Sequence, residues 1–510
     1  MRHRYPGRGL AWVVALALGL ALTLGSGALA QGPELVVAQG ADAVSLDPHR
    51  TNDQPSSRVM RQIYDTLLVQ GEDLQLYPGL ATEWRQLSPT RWEFKIRQGV
   101  RFHNGDVLTA HDVKFTFDRL RDPATAAPGA FILSPVANVE VVDDYTIVIE
   151  TSYPFAPLLN HLAHTTTSIL SRNAVTRAGD AYGTRVVVGT GPFRFEEWVT
   201  GSHIVLSRNP DYWGGEVKPG RVVFRAIPEG TVRAIELETG AVDLAYNIEP
   251  QDELRLADVP GIDLVRVETL STTYIGFNAR KPPFNDARVR QAINHAINVD
   301  AIIEHIYTGQ ASRAAGPISQ MVWGAHPELR PYEYNPERAR QLLAEAGYPN
   351  GFKTTIWTND NPLRMQIAEV VQSDLRKVGI DVEVNVMEWG AYLRETAQGN
   401  HDMFILGWVT VTADADYGLY SLFHSSTFGD PGNRTFWSHP RVDELLDLGR
   451  TTADPQVRLR AYREAQEIIV REAPWVFLLF LTEVTGVRSN VTGFVPHPAG
   501  HHRLQQVVKR

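Results

Sequence analysis

The chain contains no cysteine in 510 residues, and this absence excludes several kinds of protein. Without cysteine there is no disulfide framework and no thiolate metal site. The N-terminal lipid anchor of bacterial lipoproteins is excluded as well, because it is attached to a cysteine. A freely diffusing protein is the simplest interpretation.

The sequence also lacks a hydrophobic run of membrane-spanning length at its start. The apolar run at residues 10–24 is shorter than the roughly 20 residues that a spanning helix needs. Three arginines, Arg2, Arg4 and Arg8, precede this run, and small residues including Ala28 and Ala30 follow it. This order is typical of an export signal. We therefore predict a signal peptide at residues 1–30, cleaved after Ala30, and not a retained anchor.

Lysine is scarce, with 7 lysines against 42 arginines, and the net charge of −9 is acidic. An acidic protein is a poor partner for nucleic acid or anionic membrane, which favour clustered basic residues. The motifs of serine hydrolases, zinc proteases and phosphate-binding loops are missing. His103 and His111 are too few to hold a metal, which needs three or four converging ligands. We expect no catalytic residue, no metal and no cofactor.

Linkers are missing too. Residues 31–510 are too many for one hydrophobic core, yet no Gly/Ser-rich linker, repeat or low-complexity tract divides them. Domains joined without linkers are expected where the chain crosses between them several times. This favours a hinged molecule of two lobes.

The most informative segment present is residues 81–120, ATEWRQLSPTRWEFKIRQGVRFHNGDVLTAHDVKFTFDRL. Trp92, Phe94 and Ile96 alternate with charged residues, which predicts a strand that is buried on one side. After a glycine-containing turn, Thr109 begins a helix with Asp112 at the capping-box position. Nothing in the segment has the character of a catalytic site, so it is interpreted as scaffold.

These forty residues resemble the signature of family 5 extracytoplasmic solute-binding proteins. The resemblance implies an α/β fold of the type II periplasmic-binding-protein kind, with two lobes and an extra subdomain in the first. It implies lobe I at residues 31–70, 184–273 and 480–510, the extra subdomain at 71–183, and lobe II at 274–479.

Hydrophobic periodicity predicts further elements along the chain. Helices are predicted at residues 286–306 and 455–472, and a strand at residues 474–481 carries the chain back to the first lobe. His501 and His502 are expected in a surface loop.

The resemblance places the candidate ligand-binding residues between the lobes. Asn52, Tyr274, Asn278 and Trp389 are candidates by location. Arg364 is close to the position where dipeptide receptors of the family carry an arginine for the ligand carboxylate, a task that suits its planar fork. An arginine on a plain helix surface would have the same sequence signature.

Three further candidates follow a predicted buried strand. Trp408 ends the strand and is expected either to stack on a ligand or to fill the core of the second lobe. Asp414 and Asp416 come next, in a polar loop, and are expected either to meet a ligand ammonium or to be solvated.

One residue departs from the pattern of peptide receptors. In those proteins an aspartate three residues after the Gly-Trp pair binds the peptide amino group, whereas Gly407 and Trp408 are here followed by Val411. Valine cannot pair with an ammonium, and a buried unpaired ammonium costs several kcal/mol. Asp414 or Asp416 would be the nearest replacement. Residues 408–419, WVTVTADADYGL, are most similar to the glutathione-binding branch of the family.

The resemblance therefore implies the substrate-binding subunit of an ABC importer. It would act as a monomer in the periplasm, capture glutathione or short peptides, and deliver them to the transmembrane permease. A receptor for a nickel chelate or another non-peptide solute is the first alternative. An exported hydrolase and a chaperone-like or sensory role are the others.

Overall fold

A computed structural model describes residues 32–430 and 432–510. The predicted signal peptide lies outside these residues. In the part that the model describes, no helix combines the length and the apolar character needed to cross a membrane.

The strands of the described chain are β1 (Glu34–Gln39), β2 (Leu68–Gln70), β3 (Leu76–Pro78), β4 (Ala81–Ser88), β5 (Arg91–Ile96), β6 (Val136–Asp143), β7 (Thr146–Thr151), β8 (Phe193–Val199), β9 (His203–Arg208), β10 (Arg221–Ala226), β11 (Leu244–Ala245), β12 (Ile262–Phe277), β13 (Ala311–Arg313), β14 (Lys353–Asn359), β15 (Asp381–Met387), β16 (Met403–Val409), β17 (Trp475–Arg488), β18 (Val491–Thr492) and β19 (Val508–Lys509).

The helices are α1 (Gln54–Ile63), α2 (Ala110–Arg121), α3 (Leu158–His161), α4 (Arg172–Ala178), α5 (Gly230–Thr239), α6 (Pro250–Leu256), α7 (Ala287–Ala296), α8 (Val299–Ile302), α9 (Pro336–Glu345), α10 (Pro362–Arg376), α11 (Trp389–Ala397), α12 (Ala415–Phe423), α13 (Pro440–Thr451) and α14 (Pro455–Glu472).

One large sheet runs through both lobes, in the order β15-β14-β16-β12-β17-β11-β1-β10-β9-β8, with β13 added beside β17. Strands β12 and β17 form an antiparallel ribbon at its centre. Residues 262–268 pair with β17 beside first-lobe strand β11, whereas residues 271–277 pair with second-lobe strand β16. Strands of both predicted lobes share this one sheet, so the lobe bounds assigned from sequence remain a prediction.

The signature segment forms scaffold, as predicted. Strands β4, β5, β7 and β6 make a separate antiparallel sheet, and α2 begins with the capping box of Thr109 and Asp112. Val113, Phe117 and Leu120 on α2 are fully buried. The amphipathic pattern of this segment therefore produces the packing that it predicted.

Two of the predicted elements need correction. The helix predicted at 286–306 is interrupted, because Asn298 caps a new helix by accepting a hydrogen bond from the Ala301 amide at 3.1 Å. The strand predicted at 474–481 is longer and runs to Arg488. The helix predicted at 455–472 is confirmed at those bounds.

The lobes are packed against each other. One buried apolar cluster continues from Phe117 and Phe131 in the extra subdomain to Tyr417 and Trp475 in the second lobe. The rings of Phe131 and Tyr417 are stacked with centroids 5.8 Å apart. Residues that the sequence assigns to the two lobes are therefore in direct contact within the described chain.

Candidate ligand-binding site

The second-lobe strands bring three of the predicted site residues to one edge of the sheet. Strands β14, β15 and β16 are parallel, so their carboxyl ends lie at the same edge. Arg364 lies in the first turn of α10, after β14; Trp389 begins α11, after β15; Trp408 lies near the end of β16. In open α/β sheets, ligands bind in the crevice outside the carboxyl ends of strands.

Arg364 is half-buried at this edge and has an incomplete set of partners. Its Nη1 donates to Asn359 Oδ1 at 2.9 Å, and its guanidinium lies 5.6 Å from the centre of the Trp389 ring. No carboxylate of residues 32–430 or 432–510 lies within 4.0 Å of it. A Cβ added at Gly407 would lie 3.5 Å from Nη2, so the glycine leaves room beside the guanidinium. This geometry fits an arginine that receives a carboxylate from a ligand.

The indole N–H groups of Trp389 and Trp408 are both buried, and neither has a hydrogen-bond partner in the described chain. A buried indole N–H normally donates a hydrogen bond to an acceptor, because a buried donor without an acceptor costs free energy. The Trp408 ring also lies 5.2 Å from that of Tyr417. The edge of the sheet thus offers two further donors to a ligand that carries acceptor atoms.

Asn52 faces this region from the first lobe. Its Nδ2 donates to the hydroxyl of Tyr417, in second-lobe helix α12, at 3.0 Å. The same hydroxyl lies 3.1 Å from Nε2 of His164, which is a first-lobe residue. Asn52 was predicted from the sequence as a site residue, whereas Tyr417 and His164 were not, because only the folded chain brings residues so far apart in sequence together.

The two predicted acids are buried and already have basic partners. Both oxygens of Asp414 accept from Arg458 Nη2, at 2.8 and 2.9 Å. Burial raises the pKa of Asp414, and the charge of Arg458 works in the opposite direction. An ammonium could therefore reach Asp414 only by displacing a guanidinium.

Asp416 is fully buried and lies 3.0 Å from Arg450 Nε and 3.3 Å from His161 Nε2. Burial alone would raise the pKa of Asp416, but Arg450 and His161 lower it below its ordinary value. Because His161 belongs to the extra subdomain, this cluster also joins the lobes. The ligand role of both acids stays a prediction, and these contacts weigh against it. They also exclude the solvated-loop alternative.

Tyr274 and Asn278 are both buried. Tyr274 is 1% exposed and stacks on Trp475 with ring centroids 3.5 Å apart, but its hydroxyl makes no hydrogen bond within the described residues. Asn278 Nδ2 donates to the carbonyls of Gly399 and His401, at 2.9 and 3.1 Å. These contacts give Asn278 a structural role, and the ligand role of both residues stays a prediction.

The expected surface position of the C-terminal histidines is wrong. His501 is 5% exposed and His502 is 1% exposed, and His502 Nε2 lies 3.1 Å from Glu483 Oε1. No local hydrophobic pattern around these two histidines predicts their burial. Among the described residues, no group of three or more His, Asp or Glu side chains is arranged to hold a metal ion.

Comparison with known proteins assigns this chain to a family. The family described as bacterial extracellular solute-binding proteins, family 5, matches residues 75–430. The chain therefore belongs to this family, and the resemblance seen in residues 81–120 is confirmed.

Individual relatives extend the match to nearly the whole chain. The glutathione-binding protein GsiB of Escherichia coli O1:K1 is 32% identical over 488 residues, covering 94% of this chain and 95% of its own. Among solved structures, the ABC transporter-associated periplasmic binding protein DppA of Helicobacter pylori, in complex with the peptide STSA, is 35% identical, with a TM-score of 0.87 and coverage of 94% and 98%. A dipeptide-binding protein of Pseudoalteromonas sp. SM9913, in complex with Met-Leu, is 28% identical, with a TM-score of 0.89 and coverage of 94% and 100%.

Proposed function

We propose that this chain is the substrate-binding subunit of an ABC importer, which captures glutathione or a short peptide in the periplasm and delivers it to a membrane permease. The observation that carries the proposal is Arg364, a half-buried guanidinium with no carboxylate within 4.0 Å in the described chain, at the carboxyl edge of the second-lobe sheet. The names of the relatives, which bind glutathione or peptides, support the ligand class.

The ligand carboxylate would pair with Arg364, and the indole N–H groups of Trp389 and Trp408 would donate to other ligand oxygens. Val411 is 8% exposed and packs within the apolar cluster shared by the lobes, so it offers nothing to an amino group. A ligand ammonium would therefore be held by uncharged acceptors or remain at the solvated end of the cleft.

Delivery would depend on hinged closure. A ligand favours the closed form only through contacts that it makes better there, with both lobes at once. The contacts of Asn52 and His164 with Tyr417 support this closure, because they join the predicted first lobe to the predicted second lobe. The permease would recognise this closed shape, and the protein would act as a monomer without converting its ligand.

Calorimetry of the purified protein with glutathione, Ala-Ala and a nickel–histidine complex tests the proposal. We expect binding of glutathione or the dipeptide, a melting temperature that rises with ligand concentration, and recovery of the ligand intact. Binding of the nickel complex alone would favour the non-peptide alternative. Products that accumulate over repeated turnovers would favour a hydrolase.

Export is tested separately by intact mass. We expect the protein released from the periplasm to begin at Gln31, because residues 1–30 carry the pattern of a cleaved signal. Recovery of full-length chain in the membrane fraction would contradict the proposed location.

A further inference from the structure

A second arginine without an acidic partner lies in the first lobe. Arg61, near the end of α1, donates from Nε to Thr165 Oγ1 at 2.9 Å and from Nη2 to the Ala163 carbonyl at 2.6 Å. Its third nitrogen, Nη1, makes no hydrogen bond with any described residue, and no described carboxylate lies within 4.0 Å of the guanidinium. Arg61 is therefore held firmly in place while part of its donor capacity is unused.

His501 lies beside α1 and is also without hydrogen-bond partners. Gln62, next to Arg61 in the chain, donates from Nε2 to the carbonyl of the adjacent His502 at 2.8 Å. His501 is 5% exposed, its ring is 5.6 Å from that of His497, and neither ring nitrogen makes a hydrogen bond within the described residues. Burial, followed by the charge of Arg61, lowers the pKa of His501 far below its usual value. The ring is therefore neutral at pH 7, and a neutral imidazole presents one N–H donor.

Arg61 and His501 lie next to first-lobe residues that contact the second lobe. His164 lies in the chain between Ala163 and Thr165, which both accept hydrogen bonds from Arg61. Its Nε2 lies 3.1 Å from the Tyr417 hydroxyl of the second lobe. The loop that carries His501 is anchored beside the crossing ribbon, where the Leu270 amide donates to the Pro498 carbonyl at 3.1 Å. Arg61 and His501 are thus one side chain away from residues that meet across the lobes.

The charges of this cluster do not balance. Arg503 adds a second cation near Arg61, and burial together with Arg503 lowers the pKa of Arg61 to about 9. The acid that acts on Arg61 is Asp65. Its Oδ2 accepts hydrogen bonds from Thr190 and Trp213, at 2.9 and 2.8 Å, and its Oδ1 accepts one from Tyr212 at 3.2 Å. A buried cation without a paired anion is unfavourable, and an anionic ligand group would offset this cost.

We infer that Arg61 and His501 form a carboxylate-binding subsite on the first-lobe side of the cleft, opposite Arg364 on the second-lobe side. A receptor with two such positions favours a solute that carries two carboxylates. Glutathione has two carboxylates and an ordinary dipeptide such as Ala-Ala has one, so the subsite would select glutathione among the proposed ligands. The inference rests on the proposed function.

Glutathione and its glycyl monoethyl ester, which lacks one carboxylate, are the probes that test this subsite. We expect the wild-type protein to bind glutathione at least tenfold more tightly than the ester, because a hydrogen bond to a charged group is worth about tenfold or more in affinity. His501→Phe keeps a planar aromatic ring, although a larger one, and removes no hydrogen bond within the described protein. We expect it to keep the melting temperature of the ligand-free protein and to lose about tenfold in glutathione affinity.

Arg61→Gln should remove the preference for glutathione over the ester. Matched controls are Arg85→Gln, whose side chain is 70% exposed, and His111→Phe, whose side chain is 52% exposed; both should leave the preference unchanged. Equal affinity of the wild-type protein for the two probes, or an unchanged preference in His501→Phe and Arg61→Gln, would overturn the subsite while the proposed function stands. Binding of neither probe, nor of Ala-Ala, would instead reject the proposed function, and the subsite with it.

Discussion

Four arginines of this protein fall into two groups that the sequence does not distinguish. Arg450 and Arg458, on α13 and α14, are 1% and 7% exposed, and each pairs with an aspartate of the α12 region. Arg364 and Arg61 are half-buried and have no such acid among the described residues. The lack of an acid does not decide the role by itself, because Arg290 is buried without one and donates to backbone carbonyls instead. The comparison teaches that an arginine with neither an acid nor a full set of acceptors has donors left for an anionic ligand.

The largest expected effect comes from breaking a pair. Asp416→Ala leaves Arg450 buried without its carboxylate, and we expect a loss of about 3–5 kcal/mol in the free energy of unfolding. Urea denaturation of ligand-free protein measures it. Asp144→Ala, with a side chain that is 71% exposed, is the control and should change stability by less than about 0.5 kcal/mol. A stable Asp416→Ala variant that has lost only ligand affinity would show that the pairing is not structural.

The pair of Arg58 and Glu483 should make the free energy of unfolding depend on pH. Burial would raise the pKa of Glu483, but Arg58 at 2.8 Å and His502 hold it at about 2, below its ordinary value of 4.5. A lowered folded-state pKa gives stability that is present above pH 4.5 and is lost as the pH falls toward 2. The pair should contribute about 3 kcal/mol. Urea unfolding between pH 6 and pH 2 should show this loss, and Glu483→Gln should lack it; parallel curves for the two proteins would contradict the assignment.

Removing an arginine of the second group should affect binding and not folding. Arg364→Ala should weaken glutathione or dipeptide binding by about 10- to 100-fold, because a charge-assisted bond to the ligand is lost. The melting temperature of the ligand-free protein should stay close to that of the wild type. Arg364→Lys keeps the charge without the planar fork and should be intermediate. Calorimetry measures the ligand affinity of these variants. Wild-type affinity in Arg364→Ala would contradict the assignment of Arg364 to the ligand-binding group.

The smallest expected effect concerns two neutral donors, the indole N–H groups of Trp408 and Trp475. Trp408→Phe removes a buried indole N–H that has no partner in the described chain, so ligand affinity should fall by about three- to tenfold while stability changes little. Trp475 has the same unpartnered N–H but is 1% exposed in the core. Trp475→Phe should therefore lose stability through packing and keep its ligand affinity. Equal affinity losses in the two variants would remove Trp408 from the site.

Local signals predicted much of the fold, because they depend on neighbours in sequence. The capping box of Thr109 and Asp112 and the apolar face of α2 are complete within residues 109–120. The interruption of the predicted helix 286–306 was missed because its cause is partly distant: the Asn298 amide donates to Asp374 Oδ2 at 2.9 Å, in addition to the local cap. Local periodicity contains no information about such a partner.

The candidate site was predicted less well for the same reason. Arg364 and Trp389 lie in the helices that follow strands, and Trp408 lies near the end of a strand, so their meeting at one sheet edge follows from the order of the elements. The pairing of Asp414 with Arg458 spans 44 positions, and that of Asp416 with Arg450 spans two helices. Whether a carboxylate faces a ligand or an arginine depends on such contacts, and residue type alone does not reveal them.

The central ribbon of β12 and β17 has a mechanical consequence. Its cross-strand register is interrupted between Glu268 and Thr272, where the Thr269 hydroxyl donates instead to the Leu481 carbonyl at 2.7 Å. Bending is easiest where the ladder is already broken, so we expect this short stretch to be the flexure of the proposed closure. A stiffer stretch makes closure cost more free energy, and this cost reduces the net binding free energy of any ligand. A substitution there would change the affinity for every ligand by a similar factor and leave the selectivity between ligands unchanged.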